Sequence, residues 1–121
     1  MDQRLGAVQA LQMWRGAIVE SVRRDGPDLS ARQMALVLTV YLTPPPHTVR
    51  GLALTLNVSK PAITRALDRL SELGMIKRKI DEADRRSVLV QRTVKGSVFL
   101  REFGDLVVSA SEEAEAEATG E

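Results

Sequence analysis

A mainly α domain with a small β-hairpin is predicted by three features of the sequence. Apolar residues recur at three- and four-residue spacing through most of the chain, the period of an amphipathic helix. Residues 76–92 break that period with short β-branched runs joined by a polar stretch. Two of the helical stretches are separated only by Asn57-Val58-Ser59, too short for a loop and right for a tight turn. At 121 residues, a single domain spanning 1–121 is expected, with no room for a second core.

Residues 3–24 read as the first helix, with Leu5, Val8, Leu11, Trp14, Ile18 and Val22 on a helical period, and Asp25-Gly26-Pro27-Asp28 stops it. Ser30 followed by Gln33 forms a capping-box pair and opens a second helix carrying Met34, Leu38, Tyr41 and Leu42. Pro44, Pro45 and Pro46 end that helix in a stiff spacer, which reads as a connector or as a docking motif for a proline-recognition domain. Thr48 caps a short helix, 49–56, expected to bury Val49, Leu52, Ala53 and Leu56. Asn57 tolerates the left-handed backbone that closes a helix, and Ser59 is the N-cap of the next.

On that next helix, 60–73, a wheel at ~100° per residue gathers Ala62, Ile63, Ala66, Leu67, Leu70 and Leu73 on one side. Lys60, Pro61, Thr64, Arg65, Asp68 and Glu72 fall on the other. Pro61 sits in the first turn, where a missing amide hydrogen costs nothing, and Gly74 closes the helix. The runs 76–80 and 87–92 form the hairpin, with Arg85 and Arg86 near its tip, and Thr93 caps a last helix over 93–117. The acidic tail, 111–121, places carboxylates at the negative pole of that helix and is expected to fray. Helix, turn, helix and basic hairpin, in the order α-α-α-α-β-β-α, make a winged helix-turn-helix. A one-residue strand ahead of the hairpin is compatible with that order.

Composition narrows the function. There is no cysteine, so no disulfide, thiol switch or thiolate metal site. The single histidine, His47, stands beside three prolines, which excludes a histidine metal cluster or a catalytic triad. No apolar stretch nears the ~18 residues of a membrane span, and Met1-Asp2-Gln3-Arg4 opens no secretory signal. A cytoplasmic protein without cofactor or catalytic role is expected. The net charge of +1 conceals a polarised chain: residues 48–101 carry twelve basic and five acidic side chains, and residues 102–121 carry seven acids and no base. A basic middle suggests a polyanionic partner.

Duplex DNA requires phosphate neutralisation for affinity and groove contacts for specificity. The outward side of the helix at 60–72 offers both. Arg65 can donate two hydrogen bonds to a guanine edge, Ser59 and Thr64 can bond a base or a phosphate, and Pro61 can touch a thymine methyl. Lys60 adds charge, and Arg69, at the flank, is placed for phosphate. Thr48 and Arg50 can bond phosphate with a helix N-terminus behind them. Arg85 and Arg86 suit the width and potential of a minor groove. Each of these residues taken singly also fits a solvated surface; the set, with its turn and wing, points to DNA.

The string Leu52-Ala53, Val58-Ser59-Lys60-Pro61-Ala62-Ile63-Thr64-Arg65-Ala66-Leu67-Asp68-Arg69-Leu70, Gly74-Met75-Ile76-Lys77-Arg78, Asp84-Arg85-Arg86-Ser87-Val88-Leu89-Val90 and Thr93-Val94-Lys95-Gly96 resembles the MarR family of bacterial transcriptional regulators over residues 30–100. The resemblance implies sequence-specific DNA binding, commonly as a repressor. It implies, too, that Asp68 pairs with the wing arginine Arg86 and holds it ready for a groove; a helix-surface acid is the other reading of Asp68. A leucine usually precedes the threonine of the last helix, where this chain has Arg92. Family members usually continue into a further helix that builds the dimer, which leaves the arrangement of a dimer open here.

A homodimer is nonetheless expected through the helices at 3–24 and 93–117, whose apolar surface exceeds what one small domain covers. Small phenolic effectors bind many family members; with only Trp14, Tyr41, Phe99 and Phe103 as aromatics, all placed in the core, no effector is assigned. Two other classes compete with the DNA regulator: a winged-helix interaction module docking an acidic protein, and an architectural DNA binder without sequence preference.

Overall fold

The computed structural model describes residues 5–118, which fall into two compact units, residues 5–28 with 101–118, and Leu29–Leu100. The element order is α1 (Ala7–Arg23), α2 (Ala31–Leu42), β1 (His47–Thr48), α3 (Val49–Leu56), α4 (Lys60–Glu72), β2 (Ile76–Ile80), β3 (Val88–Arg92) and α5 (Val94–Ala118). Among the described residues, no helix is long and apolar enough to cross a membrane.

In the unit Leu29–Leu100, local chemistry places most helix ends. The Gln33 amide donates to Ser30 Oγ at 3.1 Å, and the Ser30 amide donates to Gln33 Oε1 at 2.9 Å, completing the capping box of α2. Thr48 Oγ1 accepts from the Gly51 amide and opens α3. Asn57, at φ 54°, takes the left-handed conformation that closes it. Ser59 Oγ accepts from the Ala62 amide and opens α4 with Pro61 in its first turn. At the far end of α4, Gly74 has φ +74°, the Gly74 amide donates to Ser71 O and the Met75 amide to Leu70 O, both at 2.9 Å. That is a Schellman closure, and the positive φ is why glycine stands there.

The sheet has three antiparallel strands in the order β1-β3-β2, one more than the bare hairpin. His47 and Thr48 pair with Val90 and Leu89, so a two-residue strand precedes α3 and ties its start to the wing. The β2–β3 ladder runs from Ile76 opposite Arg92 to Ile80 opposite Val88. Helices and sheet share one core: Leu36, Val37, Val40, Leu52, Ile63, Leu67 and Leu70 are each less than 2% exposed, with Met75, Ile76 and Val90 beside them. Burying a side chain of this size contributes ~1.5–3 kcal/mol.

The core side of α4 is as its periodicity predicts, apart from Leu73, which is only partly buried. The buried side of α2 is Leu36-Val37-Val40, rotated from the expected Met34-Leu38-Tyr41-Leu42, and Leu42 is exposed. Nearly every residue from 34 to 42 is apolar, so the pattern there does not select a face.

In the other unit, α1 starts at Ala7 behind an extended Gly6, later than the expected residue 3, which lies outside the described residues. Ala17 of α1 and Phe103, Leu106, Ala110 and Ala114 of α5 are buried. Trp14 meets Phe103 edge to face, with ring centroids 6.0 Å apart at 71°. A Cβ on Gly16 would lie 3.0 Å from that of Ala110, so small residues let the two helices approach closely. Along α1 and its approach, Leu5, Val8, Leu11 and Val22 stay more than half exposed. The acidic stretch is helical through Ala118 rather than frayed from 111; its last residues, 119–121, lie outside the described residues.

Candidate nucleic-acid interface

The outward side of α4 and the start of α3 form a surface of unpaired cations. Arg50, Lys60 and Arg65 are exposed, and among the described residues none of them makes an ion pair or a side-chain hydrogen bond. Pro61 is exposed beside them and Thr64 is half-buried. Arg69 differs, lying 3.9 Å from Glu72 on the next turn. The oxygens of Ser59 and Thr48 already accept capping bonds, so each hydroxyl keeps its hydrogen free to donate outward.

The wing folds against this surface. Asp81 Oδ1 accepts from the Ala83 amide and Asp84 Oδ1 from the Arg86 amide, so aspartates shape the turn between β2 and β3. Arg85 Nη1 is 3.4 Å from Glu82 Oε2, and Arg86 Nε is 3.4 Å from Asp84 Oδ1. Both pairs are exposed, a class worth ~0–1 kcal/mol, so either arginine can exchange its partner for a phosphate at little cost. A cavity of about 220 Å³ lies between α3, α4 and the wing, lined by Arg50, Lys60, Thr64, Arg78 and Arg86 with Val49, Ser87 and Val88. Four cations from three elements therefore face one cleft.

Asp68 does not pair with Arg86. Its Oδ1 lies 2.8 Å from Arg78 Nη1, on β2. Arg86 instead lies 3.4 Å from Asp84, two residues away, while Arg78, on the strand beside α4, meets Asp68. Arg78 is not among the DNA-facing residues that the sequence singles out. The signal was present: Ile76, Arg78 and Ile80 alternate with period two, and Ile76 is a core residue, so Arg78 shares the helix-facing side.

A model of the MarR family matches residues 29–88. The chain is also 30% identical to the transcriptional regulator BldR from Sulfolobus solfataricus, over 85% of this chain and 74% of that one, with a TM-score of 0.62. This chain belongs to the MarR family. Its structure is similar to that of MarR, at 26% identity and a TM-score of 0.60, over 89% of this chain and 72% of that one. It is similar as well to the transcriptional repressor CouR bound to a 23-mer DNA duplex, at 26% identity and a TM-score of 0.69, over 91% and 75%. Within this MarR-family fold, Arg92 takes a defined place. Its Nε donates to Val40 O at 2.9 Å and its Nη2 to Thr43 O at 3.0 Å, satisfying carbonyls at the open end of α2. The guanidinium also lies 5.9 Å from the centroid of the Tyr41 ring.

Proposed function

We propose that this MarR-family protein is a sequence-specific double-stranded DNA-binding transcriptional repressor of a bacterial cytoplasm, acting as a homodimer. The observation that carries the reading is the set of unpaired Arg50, Lys60 and Arg65 beside a cleft onto which Arg78 and Arg86 also open. Likeness to CouR, a repressor bound to a DNA duplex, supports it.

In this reading α4 enters the major groove with its N-terminal turn leading. Arg65 reads a guanine edge, Thr64 and Ser59 bond base or phosphate, and Pro61 packs on a thymine methyl. Thr48, Arg50, Lys60 and Arg69 neutralise phosphates, and Arg85 and Arg86 reach the adjacent minor groove. The exposed apolar row Leu5, Val8 and Leu11 supplies the dimer contact and doubles the DNA surface. Repression follows from occupancy, since a dimer on a promoter excludes the polymerase.

Selection of bound sequences from a random duplex library tests the proposal. An enriched, two-fold symmetric site supports it. Binding without enrichment indicates an architectural binder, and no duplex binding, with capture of acidic proteins instead, indicates an interaction module.

A further inference from the structure

We propose that Tyr41 is a positioning residue for DNA recognition, its hydroxyl joining the first turn of α5 to the end of α4 so that the two shift together. The inference rests on the DNA-binding reading for its functional consequence and on the hydrogen bonds of one unit for its geometry. Tyr41 lies in the last turn of α2, yet its hydroxyl bonds to residues beyond α2. It accepts from the Thr93 amide at 2.8 Å and lies 2.6 Å from Met75 O and 3.1 Å from Thr93 O. A phenol has one proton, and the shorter contact directs it to Met75 O. The Thr93 hydroxyl completes the joint, donating to Gly74 O at 2.7 Å and accepting from the Gly96 amide at 3.0 Å.

Gly74 and Met75 are the residues of the Schellman closure of α4, so their carbonyls move with its last turn. Thr93 and Gly96 are the cap and first turn of α5. The phenol and the threonine hydroxyl thus hold both carbonyls that follow α4 to the start of α5. A Cβ on Gly96 would run into the Tyr41 hydroxyl and Met75 O, so glycine at 96 is what lets α5 sit this close to the joint. Arg92 steadies the tyrosine from the other side through its bonds to Val40 O and Thr43 O. None of the joint residues belongs to the cation surface of α3 and α4, and Gly74 lies at the opposite end of α4 from Ser59. An effect of Tyr41 on DNA binding must therefore act through the setting of α4, by a contiguous chain of hydrogen bonds.

The test is Tyr41→Phe, which keeps the ring and leaves the Thr93 amide and Met75 carbonyl without their partner. Thr93→Ser, which keeps the hydroxyl, is the control. Amide hydrogen exchange is followed at 73–75 and 94–98, and affinity is measured for the duplex selected by the wild type and for random duplex. In Tyr41→Phe, exchange should quicken at both segments together while the core of α2 and α4 keeps its protection. Affinity for the selected duplex should fall about tenfold, with random-duplex affinity and the salt slope held and Thr93→Ser close to wild type. The proposal is overturned if exchange quickens at one segment or neither, if protection falls uniformly through the core, or if selected-duplex affinity is retained. Should the wild type select no duplex, the DNA-binding reading fails, and the exchange pattern alone decides whether the joint exists.

Discussion

Asp68 Oδ1 lies 2.8 Å from Arg78 Nη1 in an ion pair that ties α4 to β2, the first strand of the wing. The carboxylate is exposed on the outward side of α4, among the cations of that surface. Its side chain is 53% exposed and that of Arg78 29%, so solvent screens the pair and its share of folding stability is small. Its consequence is geometric. Arg78 opens onto the same cleft as Arg86, and fixing one guanidinium on α4 sets the distance between helix and wing.

Asp68→Ala should therefore weaken binding to the selected duplex although it removes a negative charge near phosphates. Arg78→Ala should weaken it too, and the double variant should lose less than the two singles together, with a coupling of ~0.5–1 kcal/mol. Asp68→Ala combined with Arg86→Ala should be additive, because Arg86 is held by Asp84. Equilibrium binding of the variants reads this out; tighter binding by Asp68→Ala would remove the positioning role.

Affinity for duplex DNA should fall steeply with salt, with a log–log slope of about −4 to −8 for a dimer. Titration of random-sequence duplex measures it. A flat response would mean that the cations of α3, α4 and the wing do not meet phosphate.

Dimerisation through α1 predicts that Leu11→Glu gives a monomer, since Leu11 is 65% exposed and a buried unpaired carboxylate at an interface is strongly unfavourable. Sedimentation velocity compares the two proteins. Circular dichroism should be almost unchanged, and selected-duplex affinity should drop along with the lost second half-site. A wild type that sediments as a monomer at concentrations well above ~nanomolar operator affinity counts against the dimer.

Arg92→Leu should lower stability by ~1–3 kcal/mol even though leucine is the commoner residue there in the family. The change leaves Val40 O at the end of α2 without the guanidinium, takes one of two partners from Thr43 O, and removes the guanidinium from the Tyr41 ring. A urea melt measures the shift. Arg92→Lys should recover only part of it, because an ammonium cannot span both carbonyls from one rigid plane.

Much of the unit Leu29–Leu100 was legible because it is built from local rules. Ser30, Thr48 and Ser59 as caps, Asn57 and Gly74 in left-handed backbone, and the two-sided pattern of α4 each depend on residues within about five positions of one another. The candidate cations were found for the same reason: once α4 buries Ile63 and Leu67, Lys60 and Arg65 have only the outside left.

The sequence by itself determined helix ends, the tight turn, the hairpin and which side of α4 faces out, since capping, backbone conformation and a strong periodicity act over a few residues. Only the tertiary structure decided which face of the largely apolar stretch 34–42 of α2 is buried, that His47 and Thr48 join the sheet, that Asp68 takes Arg78 and leaves Arg86 to Asp84, and that Tyr41 and Arg92 close on carbonyls from distant elements. Those outcomes turn on distances between groups up to 52 residues apart. A carboxylate, a phenol or a guanidinium bonds to whichever partner packing brings within about 3 Å, and no local pattern carries that information.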